Sequence, residues 1–428
     1  MTTHPPHTPG ADSGIAPAAG NGHKIAATAA EADTTGDASR RAAVLAELVQ
    51  HLDADRDTNI GFPSTFNFTY EPLWPFFDRV LNNVGDPFEP SAFPANTKHL
   101  EREVVEWFAR LLRAPGQWWG VCTTGGTEGV EYGLLHGRTR HPDGLVVYSA
   151  AAHYSVAKLV AKLRMQSVVV NAGRDGLLDY ADFRDVLRKH RDRPIIVLAT
   201  IGTTMTEAID DVTTIRKILA EVQVRRWYIH ADAALSGMPL ALLAPHLRPG
   251  FDFADGADSI SVSGHKFLGC PFPCGVFVTA NQAPTGSRVD YIATTDTTIC
   301  GSRSGHAPLL LWWAINTYGA ESLRHRAELS RQVAAYAVDR LQAIGRPAWR
   351  HPHAFTVVLD TPPDPIVRRW RLPSSNGQSH LITMPGITTE QVDDFIGDLE
   401  ASRNDAGNGQ SPFPRQRQRE APVAPLPA

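Results

Sequence analysis

Cysteine is scarce in this sequence, and so are the patterns that would name a nucleotide or a metal. Cys122, Cys270, Cys274 and Cys300 are the four thiols of a 428-residue chain, and no two of them form a CxxC pair. Neither a disulfide framework nor a thiolate metal site is implied, so free thiols in a reducing, cytoplasmic setting are expected, with no bound metal. Cys270 and Cys274 read as small buried apolar residues near a turn. There is no run of about 18 apolar residues, so no membrane-spanning helix is expected. The opening MTTHPPHTPGADSG has neither a basic segment nor an apolar core, and no secretory signal is expected from it. Charge of neither sign is in excess: the formal net charge is −4, which gives no basis for nucleic acid or an anionic membrane as partner. The glycine patterns GxGxxG and GxxxxGK[ST] are both missing, and nucleotide binding loses support with them. No internal repeat of about 20 to 50 residues is present.

What is present is ordinary in bulk. Hydrophobic residues make up 43% and charged residues 20%, as in globular proteins, and the length suits a large α/β core with a smaller appended domain. Residues 1–38 hold almost no large apolar groups and are expected to be a disordered tail. From 39 to 98 comes an arm. It begins with helical spacing of Val44, Leu45, Leu48, Val49 and Leu52 and continues as an extended stretch rich in aromatics and prolines. Such an arm either crosses a subunit interface or wraps its own core; the first is the expectation taken here. Residues 99–318 form the large domain. A helix at 99–113 is stopped by Pro115. Strand-like runs at 145–148, 167–170, 195–199, 227–231, 259–263 and 275–279 then alternate with helical patterns at 154–164, 180–191 and 211–223. That alternation predicts a mostly parallel sheet covered on both faces. A long helix at 320–344 and an α+β stretch with few strands at 353–400 make a small domain over 319–400. Residues 401–428 are polar and Pro-rich and read as a second disordered tail.

The chemistry gathers between Trp227 and Thr279. Asp232 ends an apolar run, and Lys266 follows an alternating one, flanked by Gly264, His265 and Gly269. A lysine at the mouth of a sheet is partly desolvated, loses proton affinity and becomes a nucleophilic amine, as a Schiff-base residue must be. Pyridoxal 5′-phosphate (PLP) needs such a lysine and an acidic partner for its ring nitrogen. The segment TTGGTEG, 123–129, lies between a strand and a helix. Its Gly126 and Thr127 are candidates to hold a phosphate at the positive end of the helix; a plain helix cap by Thr124 or Thr127 is the alternative. His153, ahead of a helix, either lies over a flat cofactor ring or is a surface or capping histidine. Thr204, at the carboxyl end of a strand, either faces the crevice where open α/β sheets bind ligands or marks a turn. Ser263 and His265 are close enough in sequence to Lys266 to reach the same phosphate. His230 shares a strand face with Asp232 and reads as space-filling.

The motifs TTGGTEG, HYSVAK, IGTTMTEAIDD, YIHADAALSGM, SISVSGHKFLGCPFPCGV and TICGSRSGHAPLLLWWAIN, with FNFTYEPL, NNVGDPF and VRRWRLP, run through about residues 60–395. In them the chain resembles the group II PLP-dependent amino-acid decarboxylases, within the branch of bacterial histidine decarboxylases and plant serine decarboxylases. The resemblance implies the aspartate-aminotransferase-like architecture (PLP fold type I). That is an α/β large domain with a mostly parallel sheet of the seven-stranded type, plus a small C-terminal α+β domain. It implies that Lys266 forms the Schiff base, that Asp232 pairs with the ring nitrogen and that His153 stacks on the ring. Gly126, Thr127, Ser263 and His265 would hold the phosphate, and Thr204 would sit near the ring oxygen and Asp232. It also implies a homodimer with the site at its interface, where the GSRSGH stretch (301–306) approaches the partner's cofactor. Two departures stand out. Larger relatives carry a long mobile loop with a catalytic tyrosine, whereas the segment from Lys266 to Gly301 is short and Tyr291 is its sole tyrosine. Ser304 stands where relatives often carry Asn.

The implied reaction is α-decarboxylation of an L-amino acid to a primary amine and CO2, with L-histidine to histamine as the first expectation. L-serine to ethanolamine or a pathway-specific amino acid is the alternative, and another PLP reaction (aldehyde formation, transamination) a further one. A cofactor-free dimeric binding protein would be colourless, and a dinucleotide oxidoreductase would need the missing glycine fingerprint.

Overall fold

The structure is a computed structural model that describes residues 34–405; the rest of the two expected tails lies outside the described residues. The chain divides into two units, one ending at Ala54 and the other running from Asp55. The first unit carries most of helix α1 (Thr34–Thr58), whose Val44, Leu45, Leu48, Val49 and Leu52 are all exposed.

The second unit is built on a seven-stranded sheet. Its strands are β1 (Trp119–Thr123), β2 (Leu145–Ser149), β3 (Ser167–Val170), β4 (Ile195–Thr200), β5 (Trp227–Asp232), β6 (Ser259–Ser263) and β7 (Gly275–Thr279). They lie in the order β1-β7-β6-β5-β4-β2-β3. The pairs among β2 to β6 are parallel, and β7 runs antiparallel between β6 and β1, so all strands but β7 point the same way. The mostly parallel sheet expected from the alternating pattern is present. Its central strands read as unbroken apolar runs because both faces are covered; IIVLAT of β4 is buried at every position.

The helices of the large domain are α2 (Lys98–Leu111), α3 (Gly126–Arg140), α4 (Ser155–Lys162), α5 (Tyr180–His190), α6 (Val212–Glu221) and the short α7 (Gly237–Ala241). Helix α3 lies on β5, β6 and β7. Gly126, Gly129, Gly133 and Gly137 recur on one of its faces, and that face is the one against the sheet. A Cβ at Gly129 would strike the Ser261 side chain, one at Gly133 the His230 ring, and one at Gly137 would come within 2.9 Å of Ile196. Below the helix, His230 Nδ1 bonds Ser259 Oγ at 2.8 Å and its Nε2 bonds Ser261 Oγ at 3.2 Å. Burial drives the His230 pKa down to about 3, so the ring is neutral. It fills the space under α3, and both its ring nitrogens are taken by the two serines and not by Asp232.

Two strands, β8 (Ser287–Val289) and β9 (Thr294–Asp296), form a small hairpin that the sequence pattern did not announce. Helix α8 (His306–Ala343) then begins well before the expected start at 320. Leu309, Leu310, Leu311, Ala314 and Ile315 supply its buried face, and Pro308 falls in the first turn, where its missing N–H is harmless. The helix breaks at Gly319, with φ 66° and ψ 165°, a conformation essentially confined to glycine. The C-terminal part contains β10 (Ala348–Trp349), β11 (Thr356–Asp360), α9 (Asp364–Arg369), β12 (Ser374–Ser375), β13 (Gln378–Ile382) and α10 (Thr389–Asp405). Its strands make a separate antiparallel sheet, β10-β11-β13-β12. Among the described residues no helix is long and apolar enough to cross a membrane, and no group of three or more His, Cys, Asp or Glu side chains is placed to hold a metal.

Residues 59–97 have little regular structure and are held by buried polar bonds instead. The Glu101 carboxylate, 0% exposed, accepts from Asn83 Nδ2 at 2.8 Å, from the Cys122 amide at 3.0 Å and from the Arg303 guanidinium. Arg303 also donates to the Gly85 carbonyl at 3.0 Å. One carboxylate thus ties segment 82–86, strand β1 and the turn before α8 together. Removing one partner of a buried pair leaves an uncompensated charge. Glu101→Ala should therefore lower the unfolding free energy by about 3–5 kcal/mol, measured by urea denaturation. The paired replacement Glu101→Leu with Arg303→Met should recover most of that loss, and an unshifted midpoint in Glu101→Ala would show the pair to be without weight.

Candidate active site

Because the strands run parallel, their carboxyl ends share one edge of the sheet, and five chain segments leave that edge side by side. β1 passes through Thr124 and Gly125 into α3; β2 leads to His153 just before α4; β4 ends at Thr200 and turns through Gly202 to Thr204. β5 ends at Asp232, and β6 at Ser263, with Lys266 three residues on. Together they wall a cavity of about 340 Å³. All eight expected site residues line it: Gly126 and Thr127 from the first segment, His153 from the second, Thr204 from the third, Asp232 from the fourth, and Ser263, His265 and Lys266 from the fifth.

At one end of the cavity is the N-terminus of α3. Its N-cap, Gly125, has φ 143°, and no side chain caps the helix. Thr124 does not serve as a cap, since its amide and its hydroxyl both donate to the Glu128 carboxylate at 2.7 Å. The first amides of α3 are thus left for a ligand, at the positive end of the helix dipole. The turn is tightly seated: a Cβ on Gly126 would lie 2.9 Å from Ala234 Cβ and 3.0 Å from Ser263 Oγ, and one on Gly125 would lie 3.5 Å from His265 Cε1.

Asp232 and Lys266 come from neighbouring strands; Asp232 is paired with Ser261 of β6, five residues before the lysine. Burial raises the Asp232 pKa above the usual carboxylate range, while the Lys266 charge and the Ala234 amide oppose it. Burial lowers the Lys266 pKa, against the pull of Asp232 and then Glu207. Asp232 Oδ1 accepts from the Ala234 amide at 3.2 Å. His153 is half-buried. Its Nδ1 meets Ser155 Oγ at 2.7 Å and accepts from the Ser155 amide at 3.3 Å, which leaves the proton of the neutral ring on Nε2. Burial and the Lys266 charge both lower its pKa.

Some of the lining was not singled out from sequence. Thr200 is buried at the end of β4 and stands opposite Asp232 in the strand register; its Oγ1 has no hydrogen-bond partner among the described residues. Tyr154 lines the cavity with its ring 4.3 Å from that of His153. Tyr291, by contrast, is 85% exposed in the segment just before β9 and does not line the cavity.

These features fit a flat, phosphorylated, aldehyde-bearing ring. An uncapped helix N-terminus suits the phosphate, a partly buried amine suits the aldehyde, and a buried carboxylate suits the ring nitrogen. The unpartnered Thr200 hydroxyl adds a polar group that the protein itself leaves unsatisfied. PLP has all of these complements.

Comparison with known proteins agrees. The chain is 42% identical over 355 residues to the histidine decarboxylase of Mesorhizobium japonicum, spanning 82% of this chain and 95% of that one. It is 43% identical over 352 residues to the histidine decarboxylase of Morganella morganii, spanning 81% and 93%. Among solved structures it is similar to the L-methionine decarboxylase of Streptomyces sp. 590 in its internal aldimine form, with TM-score 0.75 at 26% identity over 84% of this chain and 94% of that one. The fold is thus aspartate-aminotransferase-like, as the motifs implied. Residues 85–349 match the pyridoxal-dependent decarboxylase conserved domain. With that match over more than half its length, the chain belongs to the pyridoxal-dependent decarboxylase family, and is a carboxy-lyase that uses PLP on an amino acid.

Proposed function

We propose that this enzyme removes the α-carboxyl group of L-histidine, releasing histamine and CO2. The observation that carries the substrate is the identity of 42% and 43% with relatives named histidine decarboxylase, over about four-fifths of the chain.

When bound, PLP supplies an electron sink for the pair left on Cα as CO2 departs. The placement of this chain's own residues around one cavity supports the following roles. Lys266 would be the covalent anchor: burial lowers its proton affinity, which favours the nucleophilic amine. Asp232, buried at the end of β5, would hold a proton on the ring nitrogen, and its charge would stabilise the electron-poor ring. His153 would cover one face of the ring. The α3 amides at Gly126 and Thr127, with Ser263 and His265, would hold the phosphate, and Thr204 would stand near the ring's oxygen.

Within this reading residues 99–318 form the cofactor-binding domain, 319–400 the small domain and 39–98 an arm that meets a partner subunit. A cytoplasmic homodimer is proposed. The cluster of exposed aromatics at Trp74, Phe76 and Phe272, with Phe77 edge-on to Phe272 at 5.2 Å, supports a covered surface. The four unpaired thiols support a reducing compartment.

Four outcomes are expected. Offered all twenty amino acids, the purified enzyme should release amine and CO2 in equal amounts from L-histidine in preference to the others, by mass detection; ethanolamine from L-serine as the main product would sink the substrate reading. Lys266→Ala should lower that turnover by about a thousandfold or more and remove the absorbance that arises from the covalent link between Lys266 and the cofactor, with the fold intact. Gly126→Ala should weaken PLP binding to the cofactor-free protein about tenfold, read by fluorescence titration, because the added methyl presses on Ala234 and Ser263. Equilibrium sedimentation should report twice the chain mass; a monomer that retains full activity would exclude a shared site.

A further inference from the structure

We propose that Glu207 is a positioning residue for the reaction: its carboxylate holds the Thr204 loop and the turn after Asp232 in fixed relation to strand β11 of the C-terminal sheet. Glu207 follows β4 by seven residues. It is 3% exposed and does not line the cavity, so it acts through its neighbours.

The carboxylate takes four hydrogen bonds from two separate parts of the chain. Oε1 accepts from Ser236 Oγ at 2.9 Å. Oε2 accepts from the Phe355 amide at 2.9 Å, and from the Thr356 amide and hydroxyl at 2.8 Å each. Ser236 lies just beyond Asp232, and the intervening Ala234 and Leu235 both line the cavity. Behind Ser236 sits Gly202, where any Cβ would collide with the Ser236 hydroxyl. The loop itself is closed on both sides of Thr204, since the Glu207 amide donates to the Thr203 carbonyl at 2.8 Å and the Thr203 and Thr206 hydroxyls bond at 2.9 Å. Glu207 has φ 58°, a left-handed backbone that glycine would adopt without strain. The four hydrogen bonds of its side chain hold the residue in that conformation.

The charges around it are few. Lys266 feels Glu207 as well as Asp232, and Arg331, from α8, also faces it. His153 and His265 also face Lys266. Burial raises the Glu207 pKa, and the four donors oppose that. All four partners donate, which is the arrangement an ionised carboxylate requires.

The inference rests on Lys266 as the cofactor's anchor and is independent of which amino acid is consumed. The test uses the holoenzyme and the variants Glu207→Ala, Glu207→Gln and Ser236→Ala. It reads kcat, KM, the thermal midpoint and the pH midpoint of the cofactor's visible absorbance. Glu207→Ala should lower kcat about tenfold or more with KM within about twofold. It should also move the absorbance midpoint to lower pH by about half a unit, since a negative charge near the anchoring nitrogen is lost. Glu207→Gln should show the same displaced midpoint yet regain most of kcat, because its amide oxygen still accepts from Phe355 and Thr356. Ser236→Ala, which cuts only the link toward Asp232, should lower kcat about threefold or more and carries the test if Glu207→Ala does not fold. Lower thermal midpoints with kcat and absorbance midpoint unchanged would make the residue merely structural and overturn the proposal. A Glu207→Gln enzyme as slow as Glu207→Ala would assign the effect to charge and overturn it too. A wild-type enzyme inactive on L-histidine but normally coloured would count against the substrate reading alone, and the absorbance arm would stand.

Discussion

A carboxylate and an amine leave two hydrogen-bonded strands and stand in the same cavity, and the rest of the molecule is arranged to keep them there. Burial works against the ionised form of each. Each charge partly offsets the other's loss of water, without a hydrogen bond between them. Such a pair is costly to keep empty and has unused capacity at both ends, which is the condition for binding a ring that offers a basic nitrogen on one side and an electrophilic carbon on the other. The parallel sheet supplies the placement: only strands pointing the same way bring their last residues to one edge.

The sequence made the main sheet legible because central parallel strands are buried on both faces and therefore write themselves as short apolar runs. The runs at 145–148, 167–170, 195–199, 227–231, 259–263 and 275–279 correspond to β2 to β7 within a residue at either end. The eight site residues were legible for a related reason. They follow the ends of those runs, in segments rich in glycine and hydroxyls, and the family motifs gave them roles.

What was not legible depends on register or on distant partners. Thr200 reads as the last residue of an apolar run until the strand pairing sets it opposite Asp232. Glu207 reads as one acid in a polar loop, and its partners at Phe355 and Thr356 lie 148 and 149 residues away. The early start of α8 was hidden because glycine, proline and a block of apolar residues at 305–315 carry no clear period. The β8–β9 hairpin is short and buries only Thr294 of its strand residues, so it lacks an alternating signature. Tyr291 was the sole tyrosine in its interval by sequence, yet exposure, and not proximity to Lys266, describes its position.

The four glycines on the underside of α3 have a consequence for distance. A helix ordinarily rides above a sheet on the thickness of its side chains; this one rides on almost none, with a histidine ring and two serines directly beneath its backbone. Its first turn is thereby lowered to the level of the strand tips. The positive end of the helix is brought to the rim of the cavity that the lysine and the aspartate also line.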